Sequence, residues 1–349
     1  MTVSKYGGGS GRELVQDKKL PGVFYAPWGD IELPILDVTH EAFRVDATGE
    51  SLEAQAQEHD RQQARSRVLG RLFNRFLLPH LLKTSRIGRG LIAAKDTHLD
   101  AQTTYLMKLG SRALGQSFTD LDRRIAGSIA GTLLRVRVQD LAQAQTQAAT
   151  PLLASSPVRP LHLLNIAGGP ASDSINTLLL LHRAAPGLML GRSIVIHLLD
   201  LDQEGPRFAE ASLAAWQAGG GPLEGVGAQL EPVSYDWNHS QALATALQEI
   251  PRDAALLVSS EGGLFDYGTD QDVLANLSAI HRQSPTDAQV FGTLSRPGGP
   301  GNAIRRGSIA AVVLRTVEDL RGLAKSAGWT LAEHWVRPTS SGFRLVKHE

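Results

Sequence analysis

Apolar positions along the chain fall into two textures, and the change comes near residue 150. Between about Ser51 and Gln147 they recur three and four residues apart, the spacing of one helix face. Leu69, Leu72, Phe73, Phe76 and Leu77 make one such stripe, which Pro79 is expected to kink or end. A second helix is expected to start near Asp96 or Thr97 and to stop at Gly110. A third opens at Thr119, a good N-cap, with Asp120 and Asp122 in the turn where the helix dipole favours acids. Its Ile125, Ile129 and Leu133 share a face, while Gly127, Ala130 and Gly131 leave space for a close neighbour. No strand is evident before residue 150. The Gly-rich, polar first 20 residues are read as mobile. Pro21 to Pro34 sets Phe24, Tyr25 and Trp28 among prolines and glycines, which excludes a long helix or a central strand. That segment is either a loop pinned to the core by Phe24 and Trp28 or a lid with its aromatics over a ligand. Residues 148–160, small and rich in Pro and Ser, read as a linker.

Beyond the linker, short apolar runs appear at Leu161–Ala167, Ser193–Leu199, Ala254–Ser259 and Ala288–Leu294. Helical stretches near 172–185, 205–218, 240–249 and 270–282 separate most of them. Buried strands alternating with helices predict a parallel, doubly wound sheet. Thr316-Val-Glu-Asp319 opens a last helix that closes at Gly328, and strands near 330–337 and 342–347 follow as an antiparallel hairpin. The expected architecture is therefore α/β: residues 1–150 form a helical lid or substrate subdomain, and residues 151–349 a mostly parallel sheet domain ending in an antiparallel hairpin.

Composition narrows the chemistry. Lys+Arg and Asp+Glu are equal at 35 each, without a basic stripe, so neither nucleic acid nor an anionic membrane is an expected partner. The absence of cysteine removes disulfides, thiolate nucleophiles and Cys-ligated metals. The histidines lack metal spacing, so no metal is expected; His197, inside an apolar strand, is read as a satisfied core histidine. There is no apolar signal core at the N-terminus and no membrane-length apolar run, so a cytoplasmic protein is expected.

The candidate chemistry gathers at strand ends. The first run leads into Ala167-Gly168-Gly169-Pro170, where glycine lets a backbone approach a ligand closely. Neither a dinucleotide fingerprint nor a phosphate-binding P-loop is present. The loop alone is either a tight turn or a ligand loop. Asp200, at the end of the second run, can accept both ribose hydroxyls of an adenosyl ligand, or else cap a helix as Asp202 does. After a third strand, Asp236 can accept an adenine amine with Trp237 or Tyr235 stacking on the ring; the alternative is a surface turn. Leu201 and Ser260 are counted with the ligand contacts. The fourth strand runs into Glu261-Gly-Gly-Leu-Phe-Asp-Tyr267, where Glu261 can act on an acceptor's proton or cap the loop, and Tyr267 can line a pocket. Arg296, after the fifth strand, can bind a carboxylate.

Taken together, this run of features resembles the class I S-adenosylmethionine (SAM)-dependent methyltransferases over roughly residues 155–349. The resemblance implies that Ala167 to Pro170 lie under the methionine part of SAM, that Asp200 binds ribose and that Asp236 contacts adenine. The departures are Asn165, where the family often has an acid, the missing third glycine, and a longer gap before Asp200. The leading expectation is methyl transfer to a small molecule bound between the helical part and the sheet edge, with Tyr25, Trp28, Tyr105 and Arg296 on the substrate side and Glu261 and Tyr267 as the catalytic pair. Two alternatives stay open. One is attack on the aminobutyrate carbon of SAM, either by closing its own amine to azetidine-2-carboxylate with release of methylthioadenosine or by transferring the aminocarboxypropyl group. The other is a non-catalytic SAM-binding module.

Overall fold

The computed structural model describes residues 19–65, 78–307 and 310–348. The chain opens with a two-stranded antiparallel hairpin, β1 (Tyr25–Trp28) and β2 (Ile31–Pro34). Helices α1 (Gly49–Arg65), α2 (Leu78–Lys83), α3 (Arg86–Ala93), α4 (Ala101–Leu109), α5 (Asp120–Ala126) and α6 (Ile129–Ala154) follow. The second half reads β3 (Leu161–Ile166), α7 (Ser172–Ala184), β4 (Ile194–Asp200), α8 (Glu204–Gln217), β5 (Ala228–Ser234), α9 (Gln241–Glu249), β6 (Ala255–Glu261), α10 (Gly263–Tyr267), α11 (Asp270–Gln283), β7 (Gln289–Ser295), α12 (Asn302–Gly307), α13 (Val317–Ser326), β8 (Trp329–Val336) and β9 (Ser340–Lys347).

The large sheet has the order β5-β4-β3-β6-β7-β9-β8, parallel except for β9, which runs antiparallel to both neighbours. Side chains alternate across the sheet plane. Leu161, Leu163, Ile196 and Leu257 pack into one core with residues of α6, α7 and α8. Leu164, Ile166, Val258 and Val290 pack into another with residues of α9, α11 and α13. This is the doubly wound sheet that the apolar runs predict, and every expected strand and helix of the second half is found, to within a few residues. Thr316 and Asp319 form the expected capping box.

The first half differs in four places. The hairpin β1–β2 is strand structure before residue 150; its Pro27 and Pro34 are tolerated because the ribbon pairs with nothing else. The second helix starts later than expected, because Asp96 has φ +61° and Asp100 caps Thr103 instead. The helix from Thr119 stops at Ala126, since Ser128 accepts the Gly131 N–H and caps a new helix, placing Ile125 and Leu133 on separate elements. The expected linker 148–160 is helical through Ala154, because Ala148, Ala149 and Leu153 are buried against the sheet domain; Pro151 is accommodated inside α6. Pro79 lies in the first turn of α2, where its missing N–H has no partner to lose. The Leu69 to Leu77 stripe and residues 1–18 lie outside the described residues. Among the described residues no helix is long and apolar enough to cross a membrane.

On one face of the sheet His162 of β3 and His197 of β4 stack with ring centroids 5.1 Å apart and share a hydrogen bond of 2.8 Å. Burial pushes both imidazoles down, from 6.5 to about 4. Glu231, 3.0 Å from His197, is half exposed and does not offset this. The folded state thus keeps both rings neutral, while the unfolded chain takes up protons below about pH 6.5. Stability is accordingly lost as pH falls from about 6.5 towards 4, by about 2–3 kcal/mol per ring at pH 4.5 and not additively. Unfolding free energies from denaturant titrations at pH 7 and 4.5 should differ by at least that much in the natural protein and by less in a His162→Phe/His197→Leu variant; equal differences would rule the pair out as the cause.

Candidate functional site

The carboxyl ends of β3, β4 and β6 meet at one edge, where open α/β sheets bind ligands. The loop after β3 is conformationally unusual. Ala167, Gly169 and Ala171 all have positive φ, at +53°, +57° and +49°. Two of them are alanines, for which this region is unfavourable, so packing must impose it. Three contacts do so. A Cβ on Gly205 of α8 would lie 2.8–2.9 Å from Gly169 backbone atoms, and one on Gly263 of α10 would lie 2.6 Å from Ala167. From the helical half, Ala101 of α4 sits against Gly169, 3.0 Å from where a Cβ would be. Ala171, at the N-cap of α7, thus holds a left-handed conformation that suits glycine without being one.

Asp200 ends β4 beneath this loop. Its Oδ2 accepts the Gly169 N–H at 2.9 Å and its Oδ1 accepts the Asp202 N–H at 2.9 Å. Burial pushes its carboxyl above the usual range, against the pull of those two bonds. Leu201 beside it is 63% exposed, a bare apolar side chain next to a buried carboxyl group. Asp236 closes its own turn: Oδ1 accepts from Asn238 N and Nδ2, which lower its pKa along with His239. Tyr235 is not available for stacking, because it is buried with its hydroxyl on Asn276 Oδ1; Trp237 remains half-buried at the strand end. Ser260 Oγ accepts the Leu264 N–H and so caps α10.

At the end of β6 lies a buried charge network that joins both halves of the chain. Glu261 Oε2 takes Lys108 Nζ of α4, and its Oε1 lies 3.2 Å from Arg137 Nε of α6. Arg137 Nη2 donates to Asp266 Oδ2 at 2.8 Å, and Nε donates to Thr293 Oγ1 at 2.9 Å. Burial would lower the pKa of Arg137, but the charges of Asp266 and Glu261 hold it above its ordinary value. Asp266 Oδ1 also accepts the Ser295 N–H at 2.7 Å, fixing the end of β7. Tyr267 lies beside this network, edge-on to His98 at 6.1 Å; burial first, then Asp266, pushes its phenol up.

Loop residues 167–170, Asp200, Leu201, Ser260, Glu261 and Tyr267 are therefore brought to one edge. The expected substrate aromatics are not. Trp28 and Tyr105 are buried in the core against Phe208, and the Tyr105 hydroxyl donates to Pro34 O and accepts from Leu36 N. Tyr25 accepts the Leu20 N–H on the hairpin, so of the two readings of Pro21–Pro34 the pinned loop fits for Trp28. Arg296 lies against the turn between β8 and β9, its Nη1 3.4 Å from Arg337 O. Lys108 and Arg137 went unread in the sequence. The sequence marks each only by apolar neighbours, Lys108 between Met107 and Leu109 and Arg137 between Val136 and Val138. Among the described residues no group of three or more His, Asp or Glu could hold a metal.

The strand order, with its antiparallel β9, is that of a doubly wound, mostly parallel α/β sheet ending in an antiparallel hairpin. No family model matches the chain, and no curated protein does. Among solved structures, the chain is similar over 87% of its length to a possible exported protein from Bordetella parapertussis, covering 98% of that chain at 17% identity and a TM-score of 0.56. That likeness establishes the shared fold. Looser matches include N,N-8-amino-8-demethyl-D-riboflavin dimethyltransferase (RosA) from Streptomyces davawensis, with 66% of this chain, 60% of that one, 14% identity and a TM-score of 0.39. Another is the 1,6-didemethyltoxoflavin-N1-methyltransferase of Burkholderia thailandensis, with 59% and 79% coverage, 16% identity and a TM-score of 0.35. At such scores neither adds to the argument.

Proposed function

We propose that this chain is a SAM-dependent transferase acting on a small molecule, with methyl transfer as its leading chemistry. The observation that carries the reading is Asp200: a buried carboxylate at the end of β4, tied to the Gly169 N–H of a strained loop, with Leu201 bare beside it. A carboxylate so placed accepts ribose hydroxyls, Leu201 offers an apolar surface to adenine, and the Ala167–Ala171 backbone admits a ligand closely. Bound SAM supplies an electrophilic carbon on a sulfonium. The protein's part is to orient the ligand and to exclude water. Lys108 and Arg137, reaching from the helical half to Glu261 and Asp266, hold that half closed over the sheet edge. Glu261 and Tyr267, at the end of β6 and of the short helix after it, are the groups assigned to an acceptor's proton in this reading.

The contact of α4 on the loop, together with the packing of Tyr105 and Trp28 into the core, favours a second reading. A reaction within SAM itself, through its aminobutyrate carbon, requires no room for an acceptor. Mass spectrometry separates the two. Incubation with SAM and cell extract is expected to yield S-adenosylhomocysteine and a methylated small molecule. Methylthioadenosine formed from SAM alone would replace the first reading with the second, and tight SAM binding without any product would leave a non-catalytic module.

A further inference from the structure

Below the glycine loop lies a cluster of buried polar side chains that the reading above does not use. Asp173, in the first turn of α7, is 1% exposed. Its Oδ1 accepts from Asn165 Nδ2 at 2.8 Å, and its Oδ2 accepts from Gln145 Nε2 of α6 at 3.1 Å. Both amides are fully buried, and each leaves its own oxygen, Asn165 Oδ1 and Gln145 Oε1, without a hydrogen-bond partner. Buried acceptors are rarely left open, because each loses its water without compensation. Asn165 Oδ1 faces the loop: a Cβ on Gly168 would come within 1.8 Å of it. Among the described residues no Lys, Arg or His pairs with Asp173. Burial pushes its carboxyl up, and the nearby Glu261 charge adds to this against hydrogen bonds from Ser259, Asn165 and Gln145.

The cluster thus holds a carboxyl without a cationic partner among the described residues and two further oxygens without donors. A primary ammonium, compact and carrying three N–H donors, brings both the cationic partner that Asp173 lacks and donors of the kind these two oxygens lack. We propose that Asp173, Gln145 and Asn165 form the pocket for the ammonium of an adenosyl amino acid lying over the loop; this rests on the reading of the loop as a SAM site. The acid missing at Asn165 is then supplied by Asp173 from the next helix. Gln145 brings the long helix of the first half into ligand recognition.

The test uses the full chain and calorimetric titration with two probes, S-adenosylhomocysteine and its analogue in which the amino group is replaced by hydrogen. The natural protein is expected to prefer S-adenosylhomocysteine about ten- to hundredfold, the usual effect of a charged hydrogen-bonded group. Asp173→Asn and, separately, Gln145→Met should lose most of that preference while binding the deaminated analogue as before, which also shows that the site is intact. Asp173→Asn is tolerable in the fold because Gln145 can turn its amide and accept from the new donor. An undiminished preference in both variants, or equal binding of the two probes by the natural protein, overturns the pocket and leaves the SAM reading standing. Binding of neither probe by the natural protein overturns the SAM reading itself, and the pocket with it.

Discussion

Replacing Arg137 by methionine is expected to cost about 3–5 kcal/mol of folding free energy, the usual penalty for removing one partner of a buried ion pair. Methionine keeps most of the volume, so the loss is electrostatic. Asp266 Oδ2 loses its cation, Glu261 loses one of its two, the one at Oε1, and Thr293 Oγ1 loses a donor. The midpoint of denaturant unfolding should fall without a change in slope. Arg321, an exposed partner of Glu318 at 3.2 Å, is the control: Arg321→Met should cost less than about 1 kcal/mol. Adding Asp266→Asn to Arg137→Met should recover part of the loss, because a neutral amide is cheaper to bury unpaired than a carboxylate. Equal costs for the two arginine variants would mean that the network contributes nothing beyond a surface pair.

Asp200→Asn should lower affinity for S-adenosylhomocysteine by about ten- to hundredfold, at a stability cost of about 1–3 kcal/mol, because its amide nitrogen cannot accept the Asp202 N–H that Oδ1 takes. The amide oxygen can still take the Gly169 N–H, so the loop stays in place. What disappears is the charge and one acceptor for the ribose hydroxyls. Because burial already works against the ionised form of Asp200, loss of the charge offsets part of that stability cost. Asp202→Asn serves as the control: Asp202 Oδ1 accepts only the Glu204 N–H at the surface, and a change of about twofold or less is expected. Unchanged binding by Asp200→Asn, measured by calorimetric titration, would sink the ribose assignment.

The sheet was legible because β3, β4 and β6 are buried on both faces and so read as continuous apolar runs. The end of the chain was legible through the Thr316 capping box and the Gly328 stop. The helical half was harder. Ser128 and Thr119 are both N-caps, and nothing in spacing alone says that one cap starts a helix that the other has not finished. The small, polar run after Ala148 has the composition of a linker, yet its alanines are what allow α6 to lie close to the sheet domain. At the site, Asp200 was legible from its place after an apolar run. Lys108, Arg137 and Gln145 were not: long polar side chains on helices are usually solvated, and only the fold shows that these point inward. Asp173 stood in plain view eight residues after Asn165, but sequence distance does not tell that the first turn of α7 folds back to 2.8 Å from it.

The single helix α6 has a consequence for how this protein can change over time. It begins in the helical half, passes Arg137 to Asp266, passes Gln145 to Asp173 about 12 Å further along, and ends at Ala154, shortly before the sheet begins at Leu161. The seam where a recombination event would divide the chain near residue 150 therefore runs through a rod that serves both sides. The two halves cannot be shuffled against other partners as cassettes, and new specificity has to arise by substitution within one inherited frame.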